Sequence, residues 1–353
     1  MKLIIKNSDG VIDISDLVPQ VNWSGDYQQC ARTLSFNLVS SPTDKSIPKV
    51  KAGLGDLITL KEDKFDLFEG YIFDRSKSTN SNTLDLTCYD KGIYLKKNRT
   101  SYKFTNQTPE AITKRVCSDF GITVGKIEST GIKITRNFLG STLYDIIQTA
   151  YTLASHETKK KYQIRFTGSK LNVLEKKVND ETLVIEGGSN LMDATMTDSI
   201  SGMINQVAIY DKNDKHIRNI KNDELIKLYG LMQDYIKQPD GENVGSKAQK
   251  LLDDNGISQK ITINNLGNIA NITGGTVIVR EPYTGLYGLF FIDSDVNTWK
   301  NGLYLNKLTL NFKNMMDEKE VGSLPNKTGN KTSSSKTNTN LGTWAYINKP
   351  GGS

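Results

Sequence analysis

Between residues 31 and 39 apolar and polar positions alternate, with Leu34, Phe36 and Leu38 on one face and Thr33, Ser35 and Asn37 on the other. A period of two is that of a half-buried antiparallel strand. Segments 2–6, 56–60, 65–73 and 82–89 read as further strands. They are separated by Gly53-Leu54-Gly55-Asp56, by Glu62-Asp63-Lys64 and by the polar loop 76–81. Strands at such short spacing, joined by turn residues, predict a small barrel or sandwich over residues 1–97.

The period lengthens at Thr108-Pro109-Glu110. Thr108 is a good N-cap, Pro109 suits a first helical position, and Ala111, Ile112, Arg115 and Val116 follow at helical spacing up to Gly121. A second helix is predicted from Ser141, with Leu143, Ile146, Ile147, Ala150, Tyr151 and Ala154 as its apolar stripe. Gly168-Ser169 then joins 161–167 to 170–176 as a hairpin. Residues 98–178 therefore read as a compact α+β insert.

Strand signals return from Leu183, over 191–196, 203–210 and 216–220. Residues 223–235 read as a short helix passing into a strand at Gly230. A helix over 244–255 and strands over 259–263, 276–280, 288–292 and 303–312 complete a second β unit, 179–321, with one helix. The fold class expected is mainly β with an α+β insert. Past Val321 the segment 322–353 reads as a low-complexity tail expected to be flexible, with 326–340 almost wholly Asn, Lys, Thr, Ser and Gly. It carries a small apolar patch, Leu341-Gly342-Thr343-Trp344-Ala345-Tyr346-Ile347, read either as a docking peptide or as a frayed terminus.

Composition narrows the classes. At 353 residues, with 37% hydrophobic and 24% charged positions, the chain has enough apolar content for a core and length for two or three domains. No stretch approaches the roughly 20 apolar residues of a membrane helix. The N-terminus turns polar too soon for a secretory signal. Cys30, Cys88 and Cys117 form no CxxC pair, which argues against a disulfide framework or zinc ribbon and fits a reducing site of synthesis.

The net charge of +6 is unevenly spread: the tail 322–353 holds Lys327, Lys331, Lys336 and Lys349 and no acid. Without those four lysines, 41 bases face 39 acids, which is not the clustered basic stripe of a nucleic-acid binder. The densest basic run, Lys159-Lys160-Lys161, reads as a solvated helix end.

Catalytic and metal-binding signatures are weak. His156 and His216 are the only histidines, which leaves few candidates for a metal site or a triad, and His156 is explained by a helix C-terminus. Gly121-Ile122-Thr123-Val124-Gly125-Lys126-Ile127 is one residue short of a phosphate loop and lacks the hydroxyl after the lysine. Asp293-Ser294-Asp295-Val296-Asn297 starts like a calcium loop, but Thr298 and Tyr304 replace the required Gly and Glu, so it reads as a solvated turn. We expect no catalytic, metal-binding or cofactor-binding residue and no enzyme activity.

Several segments together resemble a family, the XkdQ/YqbQ-type baseplate (tail) hub proteins of contractile-tailed phages, defective prophages and tailocins. They are Trp23-Ser24-Gly25-Asp26, Ala31-Arg32-Thr33-Leu34-Ser35-Phe36, Gly55-Asp56 before a strand, and Leu67-Phe68-Glu69-Gly70-Tyr71-Ile72. Most distinctive is Tyr89-Asp90-Lys91-Gly92-Ile93-Tyr94-Leu95-Lys96-Lys97-Asn98. Gly140-Ser141-Thr142-Leu143-Tyr144-Asp145-Ile146-Ile147 and Tyr229-Gly230-Leu231-Met232-Gln233 follow. The similarity runs in order over about 1–315, with no counterpart for the tail. The motif positions Trp23, Gly25, Arg32, Phe36, Gly55, Asp56, Gly70, Tyr94, Tyr229 and Gly230 are expected to determine the fold. Arg32 is expected either to face solvent or to make an inter-subunit ion pair.

The resemblance implies two tail-tube-like β-barrels per chain in a homotrimeric ring. That ring would join the sixfold tail tube protein to the threefold central spike protein, beside other baseplate proteins, in a virion or tailocin particle. DNA would be only passing cargo, through a lumen that is polar and neutral to acidic. Two alternatives stay open at this point: a receptor- or carbohydrate-binding tail protein, and a baseplate-associated cell-wall hydrolase working through paired carboxylates.

Overall fold

A computed structural model describes residues 1–41 and 44–325. The low-complexity stretch 326–340 and the apolar patch 341–347 lie outside the described residues.

The first β unit is built from the alternating segments. Strands Lys2–Asn7, Gly10–Asp13, Gln20–Asp26, Thr33–Val39, Leu57–Glu62, Phe65–Lys77 and Thr83–Asp90 pair antiparallel. Leu34, Phe36 and Leu38 sit opposite Cys88, Leu86 and Leu84, and all six are buried, with Ile5, Ile58, Leu60 and Ile72 in the same core. A one-residue slip would send this whole set to the other face, so burial fixes the register.

The second β unit comprises Leu183–Glu186, Leu191–Ser199, Ser258–Leu266, Thr276–Glu281, Leu286–Lys300 and Leu303–Asn311, around Ile261, Ile263, Phe290, Ile292, Leu308 and Leu310. The two units share one sheet, which has 13 strands among the described residues. The join is the 15-residue strand Leu286–Lys300. Its early part pairs with Thr276–Glu281, its later part with Leu303–Asn311 on one side and Gln20–Asp26 on the other. Trp299, near its end, packs into the core of the first unit. The segment Asp293–Asn297, expected as a solvated turn, is therefore the middle of this strand. Asp and Asn disfavour strands in general, but here their side chains are buried and hydrogen-bonded.

Between the units lies the α+β region. Helix Pro109–Asp119 starts where Thr108 Oγ1 accepts from the Ala111 amide (3.3 Å), and helix Leu143–Thr158 starts where Thr142 Oγ1 accepts from Asp145 (3.0 Å). Strands Arg99–Gln107 and Ile134–Thr142 pair beside them. The hairpin Lys161–Thr167/Lys170–Lys176 takes Val124–Ile127 as a parallel third strand. Cys30, Leu95 and Met316 enter the core of this region, so it is packed on the first unit and on the chain after the last strand. Lys159 ends the second helix in a left-handed conformation (φ 61°), while Lys160 and Lys161 pair with Glu175 and Glu318.

A smaller sheet, Gln206–Tyr210, His216–Lys221 and Gln233–Lys237, packs on helix Gly245–Asp254 around Val207, Ile209, Ala248 and Leu252. This cluster is distinct from the core of the surrounding strands, a separation the strand pattern alone did not reveal. Residues 223–235 do form a short helix, Asp223–Tyr229, followed by the strand Gln233–Lys237. No helix among the described residues is long and apolar enough to cross a membrane.

Candidate functional site

Where the two β units meet, Gly25 lies directly opposite Asp295 in the strand register. Arg32, on the neighbouring segment, reaches across this position. Its Nη1 donates to Asp295 Oδ1 at 3.0 Å, and Nη2 donates to Oδ2. Gly25 is required by that path: a Cβ there would stand 2.3 Å from Arg32 Nη1 and 2.9 Å from Cζ. Trp23 covers the other side, with the guanidinium carbon 4.0 Å from its ring centroid, a cation–π arrangement.

The Asp295 side chain is fully buried, where an ionised carboxylate is tolerated only if paired and hydrogen-bonded. Besides Arg32 it accepts from the Thr273 amide (2.7 Å), Thr273 Oγ1 (2.6 Å) and Asn297 Nδ2 (2.6 Å). Asn297 Oδ1 in turn accepts from Asn306 Nδ2 (2.6 Å) and from the Tyr304 hydroxyl (2.7 Å). Asn306 Oδ1 takes the Asn268 amide (2.7 Å) and Asn271 Nδ2 (3.1 Å). Burial raises the Tyr304 pKa, so this phenol stays a donor. The Asp295, Asn297 and Asn306 side chains are hydrogen-bonded throughout, while Arg32 Nε and Trp23 Nε1 are buried without an acceptor, and a buried network of this kind is specific for one register. With the Asp295 oxygens engaged, the cluster aligns strands; it is not arranged to move protons.

A second anchor supports Arg32 from behind. Asp90 accepts from the Arg32 amide (3.1 Å) and the Gly92 amide (2.8 Å). Burial pushes its carboxyl up to about 6, against these two amides and the nearby Arg32 charge, which favour ionisation. Gly92 touches Cys30: a Cβ would stand 2.3 Å from the Cys30 carbonyl oxygen. The distinctive stretch 89–98 is thus a turn that grips the Cys30–Arg32 backbone and then enters helix Gly92–Lys97, which closes as Asn98 donates its amide to the Tyr94 carbonyl (3.1 Å).

The structure brings Trp23, Gly25 and Arg32 together, and places the other motif positions elsewhere. Arg32 neither faces solvent nor waits for another subunit, because its ion pair is made within the chain. Phe36 belongs to the first core. Gly55 has φ +87°, and Asp56 Oδ2 accepts from the Gly53 amide (2.7 Å) in the turn. Gly70 lies under the Phe68 ring and the Tyr89 carbonyl, each 2.4 Å from where a Cβ would be. Tyr94 meets the rings of Tyr71 and Phe73. Tyr229 and Gly230 end the helix beside the small sheet, where the Gly230 carbonyl accepts from Asn205. Asp295, Asn297 and Asn306 were missed as members of the seam; their only sequence signal is polar residues at alternate positions of a strand.

The cysteines are free and buried, and burial pushes the Cys30 thiol up to about 12, which leaves it unreactive. Among the described residues no cluster of His, Cys, Asp and Glu could hold a metal ion.

A mainly β chain whose first and last strands are fused into one sheet around an α+β insert has the fold of phage tail proteins. It aligns with the 43 kDa tail protein of prophage MuSo2 from Shewanella oneidensis with a TM-score of 0.65, at 14% identity over 88% of this chain and 97% of that one. A tail protein from Neisseria meningitidis MC58 gives a TM-score of 0.58 at 14% identity, over 88% and 95% of the two chains. The particular family follows from sequence: the chain belongs to the YQBQ-like family, whose profile matches residues 21–311. It is also similar to the phage-like element PBSX protein XkdQ of Bacillus subtilis (strain 168), 26% identical over 307 residues that cover 84% of this chain and 93% of the relative.

Proposed function

We propose that this chain is a non-enzymatic baseplate hub, three copies of which form a ring joining a sixfold tail tube to a threefold central spike. In this reading 1–97 and 179–321 supply two similar barrel-like modules, and 98–178 is the insert between them. A closed threefold ring uses heterologous contacts, and it can meet a sixfold partner only if each chain offers two similar surfaces. The observation that carries the reading is the strand Leu286–Lys300, which makes both β units parts of one sheet. The buried Arg32–Asp295 clamp fixes their relative setting. Two modules held at a fixed angle can occupy adjacent places of a hexagonal ring, whereas a flexible pair could not. Membership of the YQBQ-like family and the fold shared with phage tail proteins support the same assignment. The ring would stand in the tail particle, with DNA only passing through.

Light scattering coupled to size exclusion tests this. The chain mass is 39.3 kDa, and the proposal expects a species of three times that mass, alone or on adding tube or spike protein. A monomer that binds neither, or that hydrolyses purified peptidoglycan, refutes it.

A further inference from the structure

Beside the Arg32 clamp lies a cavity of about 420 Å³, bounded by the seam, by the loop around Ile272 and by strand Lys161–Thr167. Trp23, Leu67, Ile164 and Phe166 give it apolar walls. Arg165 lines both this cavity and a second of about 440 Å³, which also shares Gln163, Ala270 and Ile272 with it. Arg32 is paired with Asp295, whereas Arg165 has no ion pair or side-chain hydrogen bond among the described residues; the Nε of each is buried without an acceptor. Asp26 and Asp66 border the first cavity and Glu128, Glu175 and Asp180 the second; Asp66, Glu128 and Glu175 pair with Lys61, Lys126 and Lys160, and none of the five pairs with Arg165. Burial, and the Arg32 charge nearby, bear on Arg165 in the same unfavourable direction.

A guanidinium carries five donors and stays charged in proteins. Arg165 is half-buried, facing two cavities with only its Nε fully enclosed, so it forgoes the charge-assisted bonds that an anion seated there would supply. We propose that Arg165 is the receptor for a carboxylate side chain of an adjoining copy of this chain, seated in the cavity when the ring assembles. This rests on the ring reading above. Charge complementarity selects a carboxylate, and the apolar walls accommodate its methylene stem. The chain's own segment 326–353 contains no Asp or Glu, so it supplies no such side chain.

The test uses the full chain and three variants: Arg165→Met, which keeps the stem and removes the charge, Arg165→Lys, and Arg32→Met as a control for the neighbouring pair. In the dissociated wild-type chain, sodium propionate at constant ionic strength should raise the melting temperature above that in chloride. Arg165→Met should lose this response while melting close to or above the wild-type temperature, because it removes a half-buried charge with no partner among the described residues. On dilution, Arg165→Met should dissociate at concentrations at least about tenfold higher than wild type, as expected when a buried interfacial charge pair is truncated. Arg165→Lys should recover part of that loss.

Equal propionate responses in wild type and Arg165→Met overturn the proposal, as does an Arg165→Met chain that melts lower yet assembles like wild type. Trimers of unchanged strength in Arg165→Met reject the neighbouring copy as the source and leave the ring intact. A wild-type chain that propionate protects but that never self-associates, even with tube or spike protein, rejects the ring reading, and the neighbouring copy with it.

Discussion

Arg32→Met should separate the two β units energetically more than any other single change at their junction. The substitution keeps most of the stem that lies on Trp23 but leaves the Asp295 carboxylate buried without its cation. Breaking a buried pair by removing one partner costs about 3–5 kcal/mol, most of it the stranded charge. Asp295→Leu should cost a similar amount, since it strands the guanidinium. The double variant Arg32→Met/Asp295→Leu removes both charges and should cost far less than the two singles together. The coupling energy should therefore be at least about 2 kcal/mol, well beyond the roughly 0.5 kcal/mol within which independent sites add.

Gly25→Ala extends the argument. In the wild-type background its methyl group displaces the guanidinium and should mimic Arg32→Met, whereas in the Arg32→Met background it should be nearly neutral. Urea unfolding at pH 7, followed by Trp fluorescence, measures all of these. Additive single substitutions, or an equal cost of Gly25→Ala in both backgrounds, would refute the clamp.

Two further outcomes follow from the second anchor. The folded-state carboxyl of Asp90 titrates near 6 against an ordinary 3.8, so folding favours its protonated form. Its contribution to stability is full below about pH 4, falls as pH rises through 6 and is flat above; the gap corresponds to about 3 kcal/mol. The difference in unfolding free energy between wild type and Asp90→Asn should vary by that order between pH 4 and 7, and a flat difference would contradict the burial argument. Gly92→Ala should lower the urea midpoint by the equivalent of about 1–3 kcal/mol, because the Cys30 carbonyl and the Ala31 Cα, both backbone atoms, block the methyl group. A wild-type midpoint would show that the turn yields freely.

How far the sequence led depended on whether a side chain's role was local. The helix after Thr108-Pro109 was legible because its cap is made within a few residues. The hairpin at Gly168-Ser169 was legible for the same reason, since its register is set across two residues. Leu34, Phe36 and Leu38 were legible as a core face because burial follows the strand period. Asp295 was read as part of a turn because its partner Arg32 is 263 positions away and no local pattern announces such a pair. Arg165 sits in an ordinary alternating strand, and only the structure reveals that it makes no ion pair among the described residues. Gly25 was marked as important by its motif, while the reason, a guanidinium passing over it, is visible only in three dimensions.

The account centres on a chain that sets two fused β modules into one threefold ring, and electron cryomicroscopy of the intact tail particle tests it most directly. The density should show three copies encircling the axis between tube and spike, with residues 1–97 and 179–321 alternating around it as six similar lobes. A single copy, or copies mounted at the periphery away from the axis, would contradict it.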